Sequence, residues 1–141
     1  MPRFMVFVPA SPESESGELP PNASEMFDTM TKFNEQLADA GVMVEGNGLA
    51  PTSQGARIRY EGGKTTVFDG PFAEAKELVA GYWMLEAKSL DEVIEWMKKA
   101  PMDGGVELQI RKVAELDDFG DAITPETRER HQRIVKKIQQ K

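Results

Sequence analysis

Short apolar runs alternate along this chain with polar breaks rich in glycine and proline, and their periods differ from segment to segment. Residues 3–8 form a nearly continuous apolar run suited to a central strand, and 11–21, rich in Ser, Glu, Gly and Pro, read as a loop. Met26, Met30, Phe33, Leu37 and Ala40 then recur at helical spacing, with Asn22 and Glu25 as the cap and Gly41 as the stop. Val42-Met43-Val44 opens a second strand that runs into Gly46-Asn47-Gly48, and 56–60 and 64–68 flank Glu61-Gly62-Gly63 as a hairpin. Residues 78–87, centred on Gly81-Tyr82-Trp83-Met84-Leu85, are an aromatic strand. Ser89-Leu90-Asp91-Glu92 is a capping box for a second helix that buries Leu90, Val93, Ile94 and Met97 and stops before Pro101. In 106–111 alternation predicts Val106, Leu108 and Ile110 toward the core and Glu107, Gln109 and Arg111 away from it.

The order β-α-β, hairpin, β-α-β predicts an α+β fold of the ferredoxin-like split type, with an inserted hairpin and two helices on one face of a mostly antiparallel sheet. The second sheet face then has no cover. Tyr82 and Trp83 are adjacent on one strand, so one of them faces that side, and an apolar patch there invites pairing with a second copy. A homodimer with sites between its sheets is the expectation.

Charge changes this picture only at the end of the chain. The net charge is −7, but residues 1–123 carry 22 acidic and 11 basic side chains, whereas 124–141 carry two acidic and six basic ones. Thr124-Pro125 is a good helix start, and His131, Ile134, Val135 and Ile138 lie at helical spacing among Arg128, Arg130, Arg133, Lys136 and Lys137. The tail reads either as a solvated terminal helix or as an arm laid on an acidic surface, including that of a neighbouring subunit, which would allow a higher homo-oligomer. Nucleic acid is not expected as a partner, because the acidic body would repel phosphate. With 141 residues and 40% hydrophobic content one folded domain suffices, taken as 1–113 with 114–141 as a C-terminal extension. The absence of cysteine removes disulfides and thiolate chemistry. No apolar run approaches a membrane span or a signal peptide, so a soluble cytoplasmic protein is expected.

The chemistry-bearing candidates gather around residues 67–76, where an apolar strand ends in an acidic Gly-Pro turn. Asp69-Gly70-Pro71-Phe72-Ala73-Glu74, followed by Lys76-Glu77-Leu78, with Gly81-Tyr82-Trp83 and Ser89-Leu90-Asp91-Glu92 downstream, closely resembles the YCII-related family, in its branch named for the Asp-Gly-Pro-Phe motif. Gly48-Leu49-Ala50-Pro51 upstream, and Asp118-Phe119-Gly120 and Thr124-Pro125-Glu126 in the tail, extend the likeness over almost the whole chain. The resemblance implies the dimeric α/β-barrel fold. For the YCII-like branch it implies a His-Asp catalytic pair, yet the single histidine here is His131, in the tail. Asn47 stands where the resemblance leads one to expect Glu, and Ala75 where it leads one to expect Thr.

Two functional readings follow. In one, the protein is a dimeric accessory or regulatory module that binds a small organic ligand in the inter-sheet cleft through Glu45, Asn47, Arg57, Phe72, Lys76, Tyr82 and Trp83. In the other, Asp69 acts as a general acid or base, aided by Glu74 or Glu45, in a small cofactor-free enzyme. The first is favoured, because without a body histidine and with Asn47 in place of Glu few groups titrate near neutrality. Asp69 also has an ordinary role as a turn residue bonding its own backbone. No metal or cofactor is expected: one histidine cannot build a histidine-rich site, and Gly46-Asn47-Gly48 lacks the third glycine of a dinucleotide loop and opens no helix.

Overall fold

Alternation along two strands sets the architecture. The computed structural model describes residues 1–72 and 77–140. Its elements are β1 (Arg3–Pro9), α1 (Pro12–Ser16), α2 (Ala23–Asp39), β2 (Met43–Gly48), β3 (Ala56–Glu61), β4 (Lys64–Asp69), β5 (Val79–Glu86), α3 (Leu90–Met97), β6 (Gln109–Lys112) and α4 (Pro125–Gln139), with 3-10 turns at Thr52–Gln54 and Leu116–Ala122. The main sheet has the order β2-β5-β1-β6, and every neighbouring pair is antiparallel. β3 and β4 form a separate two-stranded sheet. The chain is thus a mixed α+β protein with a C-terminal helix.

On one face of the main sheet, Phe4 and Val6 of β1 and Trp83 and Leu85 of β5 are buried against Phe33 and Leu37 of α2 and Val93 and Met97 of α3. Register makes this a layer, since Phe4 lies opposite Leu85 and Val6 opposite Trp83. The Trp83 ring meets Phe33 edge-on, with centroids 6.0 Å apart at 85°, and its Nε1 donates to Asn34 Oδ1 at 2.8 Å. The indole therefore delivers its apolar area to the core while its one polar group is satisfied. β2 passes close over it: a Cβ on Gly46 would sit 2.5 Å from Met43 Cε and 3.1 Å from Trp83 Cδ1. Among the described residues no α-helix contributes a buried side chain to the opposite face, which carries Met5, Phe7, Tyr82 and Met84. Of the adjacent aromatics, Tyr82 is the one that faces outward.

The acidic Gly-Pro turn is anchored through its backbone. Glu15 of α1 accepts from the Thr52 amide at 2.9 Å and from Thr52 Oγ1 at 3.1 Å, and Thr52 Oγ1 in turn accepts from the Phe72 amide at 2.9 Å. Gly70 donates to the Gly55 carbonyl at 3.0 Å. A Cβ at position 70 would fall 1.6 Å from the Thr52 carbonyl oxygen, so the turn packs on the Thr52–Gln54 backbone at a distance only glycine permits. The peptide between Gly70 and Pro71 is cis.

Several local expectations change. The predicted loop at 11–21 contains α1, which has no buried residue and hence no apolar period to detect; reciprocal bonds between Ser11 and Ser14 close its first turn. Asn22 precedes α2 but makes no side-chain cap bond. At Ser89 the box is shifted: Ser89 Oγ accepts from Glu92, while Glu92 Oε2 accepts from Lys88 rather than from Ser89. Met26 and Leu90 remain 52% and 47% exposed, because each lies in the first turn of its helix, beyond the sheet layer. Val106, expected in the core, is 44% exposed, since Gly104 and Gly105 take left-handed turns and β6 begins only at Gln109.

Leu85→Ala empties a fully buried site between sheet and helices, and a loss of about 3 kcal/mol is expected in chemical denaturation. Gly70→Ala drives a methyl group into the Thr52 backbone; the expected loss is about 2 kcal/mol. An unchanged denaturation midpoint for Gly70→Ala would show that the corner moves aside freely.

Candidate functional site

The outer face of the main sheet is built of transverse rows. Cross-strand register sets Asn47, Tyr82, Phe7 and Gln109 side by side, and next to them Glu45, Met84, Met5 and Arg111. Residues paired directly across antiparallel strands share a face, so both rows point away from α2 and α3. Each row is apolar in the middle and polar at its ends. The second row runs from a carboxylate on β2 to a guanidinium on β6.

A groove of about 970 Å³ opens at the β1–β6 end of this face, lined among others by Phe7, Pro9, Leu78, Val79, Gln109 and Arg111. Glu77 and Glu107 also line it. The chain re-enters the described structure at Glu77, and Glu77, Leu78 and Val79 line one side of the groove. Phe7 and Val79 offer apolar contact, Gln109 offers both a donor and an acceptor, and Arg111 offers a planar cation suited to a carboxylate or phosphate group.

At the other end of the rows, Asn47 Nδ2 donates to Tyr82 Oη at 3.0 Å and to Glu45 Oε1 at 3.2 Å. The amide spends its two hydrogens on these partners, which leaves the Tyr82 hydroxyl hydrogen as a donor toward the open face. A Glu at position 47 would put a second carboxylate beside Glu45, whereas Asn47 bonds Glu45 instead of repelling it. Three of the residues expected to bind ligand, Glu45, Asn47 and Tyr82, are therefore brought together.

The others lie elsewhere. Trp83 faces the helices, where it borders a smaller hollow of about 230 Å³ with Val8, Met30, Asn34 and Met102. Arg57 stacks over the Phe72 ring at 4.5 Å on the β3–β4 hairpin, and Arg59 over Phe68 at 4.7 Å. Asp69 ends β4 opposite Ala56, and its side chain has no hydrogen-bond partner among the described residues. Glu74 and Lys76 lie outside the described residues. Neither Asp69 nor Glu45 lines the groove, and no three His, Asp or Glu side chains among the described residues converge as a metal-binding group. Phe7, Val79, Gln109 and Arg111 were missed as site residues. The signal for two of them is present: Gln109 and Arg111 are among the alternate polar positions of the last strand that the sequence points away from the core.

Comparison with known proteins bears on this face through the strands that build it. An uncharacterised protein of Rhizobium meliloti (strain 1021) is 33% identical over 69 residues, a stretch covering 49% of this chain and 56% of that protein. The family model of the YCII-related domain matches residues 2–116, taking in every strand of both sheets and stopping before α4. On that match, the chain belongs to the YCII-related family.

Proposed function

We propose that this protein is a dimeric small-molecule-binding module of accessory or regulatory role, with its site on the helix-free sheet face. The observation that carries the reading is the groove lined by Phe7, Gln109 and Arg111, on a face to which no helix among the described residues contributes a buried side chain. Such a site takes a ligand with an apolar body and one polar or anionic group. Closing it requires a cover, and the equivalent face of a second copy supplies one in the manner of a dimeric α/β barrel built on a ferredoxin-like split sheet. The rows are self-complementary for this purpose. A two-fold axis parallel to the strands lays Glu45 of one copy over Arg111 of the other, with Met5 and Met84 between them.

The alternative, proton transfer by Asp69 with Glu74 or Glu45, has weaker support. Asp69 belongs to the hairpin sheet and Glu45 to the edge of the main sheet, and a general base must come within hydrogen-bond reach of the proton it takes.

Thermal-shift screening with small aromatic and aliphatic carboxylates is expected to find stabilising compounds, and Arg111→Ala to weaken the best of them by about tenfold while circular dichroism shows the variant folded. Asp69→Asn should leave that affinity unchanged; loss of binding in Asp69→Asn with Arg111→Ala silent would reverse the two readings. Sedimentation at micromolar concentration is expected to show a dimer that Met84→Glu converts to monomer. A monomeric natural chain would sink the face-to-face arrangement.

A further inference from the structure

On the helix side of the main sheet, the row of positions beyond Trp83 is short of side chains. Gly46, Trp83 and Val6 stand side by side across β2, β5 and β1, and the next row on the same face is Gly48, Gly81 and Val8. Two of these three positions carry no side chain, and the space left over them is the hollow of about 230 Å³, bordered by Met30 and Asn34 of α2 and by Met102 of the loop after α3. At Gly46 an added Cβ would strike Met43 and Trp83, and at Gly81 it would press on the Asn47 carbonyl oxygen at 3.0 Å, so close packing accounts for both glycines. At Gly48 it would meet nothing within 4 Å, and Gly48 is not among the glycines with positive φ. Neither backbone conformation nor close approach requires glycine there, and the effect of its missing side chain is to keep the hollow open.

None of the residues lining the hollow is charged, and Val8, Met30, Trp83 and Met102 give it apolar walls. The indole N–H of Trp83 only donates, so the Asn34 atom facing it at 2.8 Å is the amide oxygen, and that bond sets which way the amide is turned. The Asn34 Nδ2 hydrogens have no hydrogen-bond partner among the described residues, whereas those of Asn47, the other amide on the lining, are spent on Tyr82 and Glu45. The hollow thus offers a donor beside apolar walls and no countercharge. A carboxylate or an ammonium group entering it would lose hydration without an ion to replace it.

We infer that this hollow is a second small-molecule site, for a neutral carbonyl compound about the size of one ring. The ligand is a ketone, ester or amide whose oxygen accepts from Asn34 Nδ2 and whose hydrocarbon body fills the space over Gly48 between Trp83, Met30 and Met102. An apolar cavity of roughly 150 Å³ already admits benzene, so the volume suits such a body together with its carbonyl group. The site lies on the opposite side of β5 from the outer face and takes a neutral rather than an anionic ligand, so it stands independently of the groove and of dimerisation.

The test titrates the isotope-labelled full chain with acetophenone and follows the Trp83 indole N–H and the Asn34 side-chain amide by nuclear magnetic resonance. Both signals are expected to shift saturably, with a dissociation constant of about 1 mM or below. α-Methylstyrene, which has a methylene group in place of the carbonyl oxygen, should bind about fivefold more weakly, and benzoate should leave both signals unmoved. Gly48→Val puts a side chain into the hollow and is expected to weaken acetophenone by about tenfold or more, while Arg111→Ala leaves its affinity unchanged; a dispersed amide spectrum shows each variant folded. Absence of saturable shifts, equal affinity for acetophenone and α-methylstyrene or benzoate, or undiminished binding by folded Gly48→Val overturns the proposal. Shifts confined to Gln109 and Arg111 also overturn it, since they put the ligand in the outer groove. The comparison of acetophenone with α-methylstyrene is made on the natural chain and decides the matter even where Gly48→Val fails to fold.

Discussion

Tyr82 and Trp83 are neighbours on β5 and must point to opposite sides of the sheet, and among the described residues helices bury side chains against only one of those sides. Trp83 goes inward, where Phe33 meets its ring edge-on and Asn34 Oδ1 accepts from its indole N–H, so among the described residues the core closes without an unsatisfied polar side-chain atom. Tyr82 goes outward and becomes part of a surface whose middle is apolar and whose ends are polar. Both the stability of the fold and the candidate site follow from that one division. The core needs the helices on one face, and the candidate site lies on the other, where no helix among the described residues buries a side chain.

The Asp-Gly-Pro-Phe corner takes its place within this division as a structural joint. Its backbone is held by Gly55 and Thr52, Thr52 is held by Glu15, and glycine at position 70 is the condition for that approach. The carboxylate of Asp69 is the most conspicuous side chain of the corner, yet the bonds that hold the corner among the described residues are made by other groups.

Legibility differed between the two faces for a physical reason. The inward face announces itself through period: Val6, Phe33, Leu37, Leu85 and Val93 are apolar at strand or helix spacing, and all are buried. The outward face mixes Met5, Phe7 and Met84 with Asn47, Glu45, Gln109 and Arg111, and such a mixture carries no period that separates a binding surface from a solvated one. Only register brings them into rows, because the four strands come from distant parts of the chain. Helix α1 escaped notice for the related reason that it buries nothing. Val106 was misplaced because alternation cannot tell where a strand begins once two glycines precede it.

By itself the sequence determined the order of the six strands and of the longer helices, the hairpin, the basic terminal helix and the family resemblance, since each of these is written in neighbouring residues by local propensity and spacing. The tertiary structure decided which of Tyr82 and Trp83 faces outward, that Asn47 bridges Glu45 and Tyr82, that Arg111 shares a groove with Phe7, and that Gly70 packs on Thr52. Those are contacts between residues far apart in the chain. They depend on strand register and on which face the helices cover, and neither is encoded in any single stretch of the sequence.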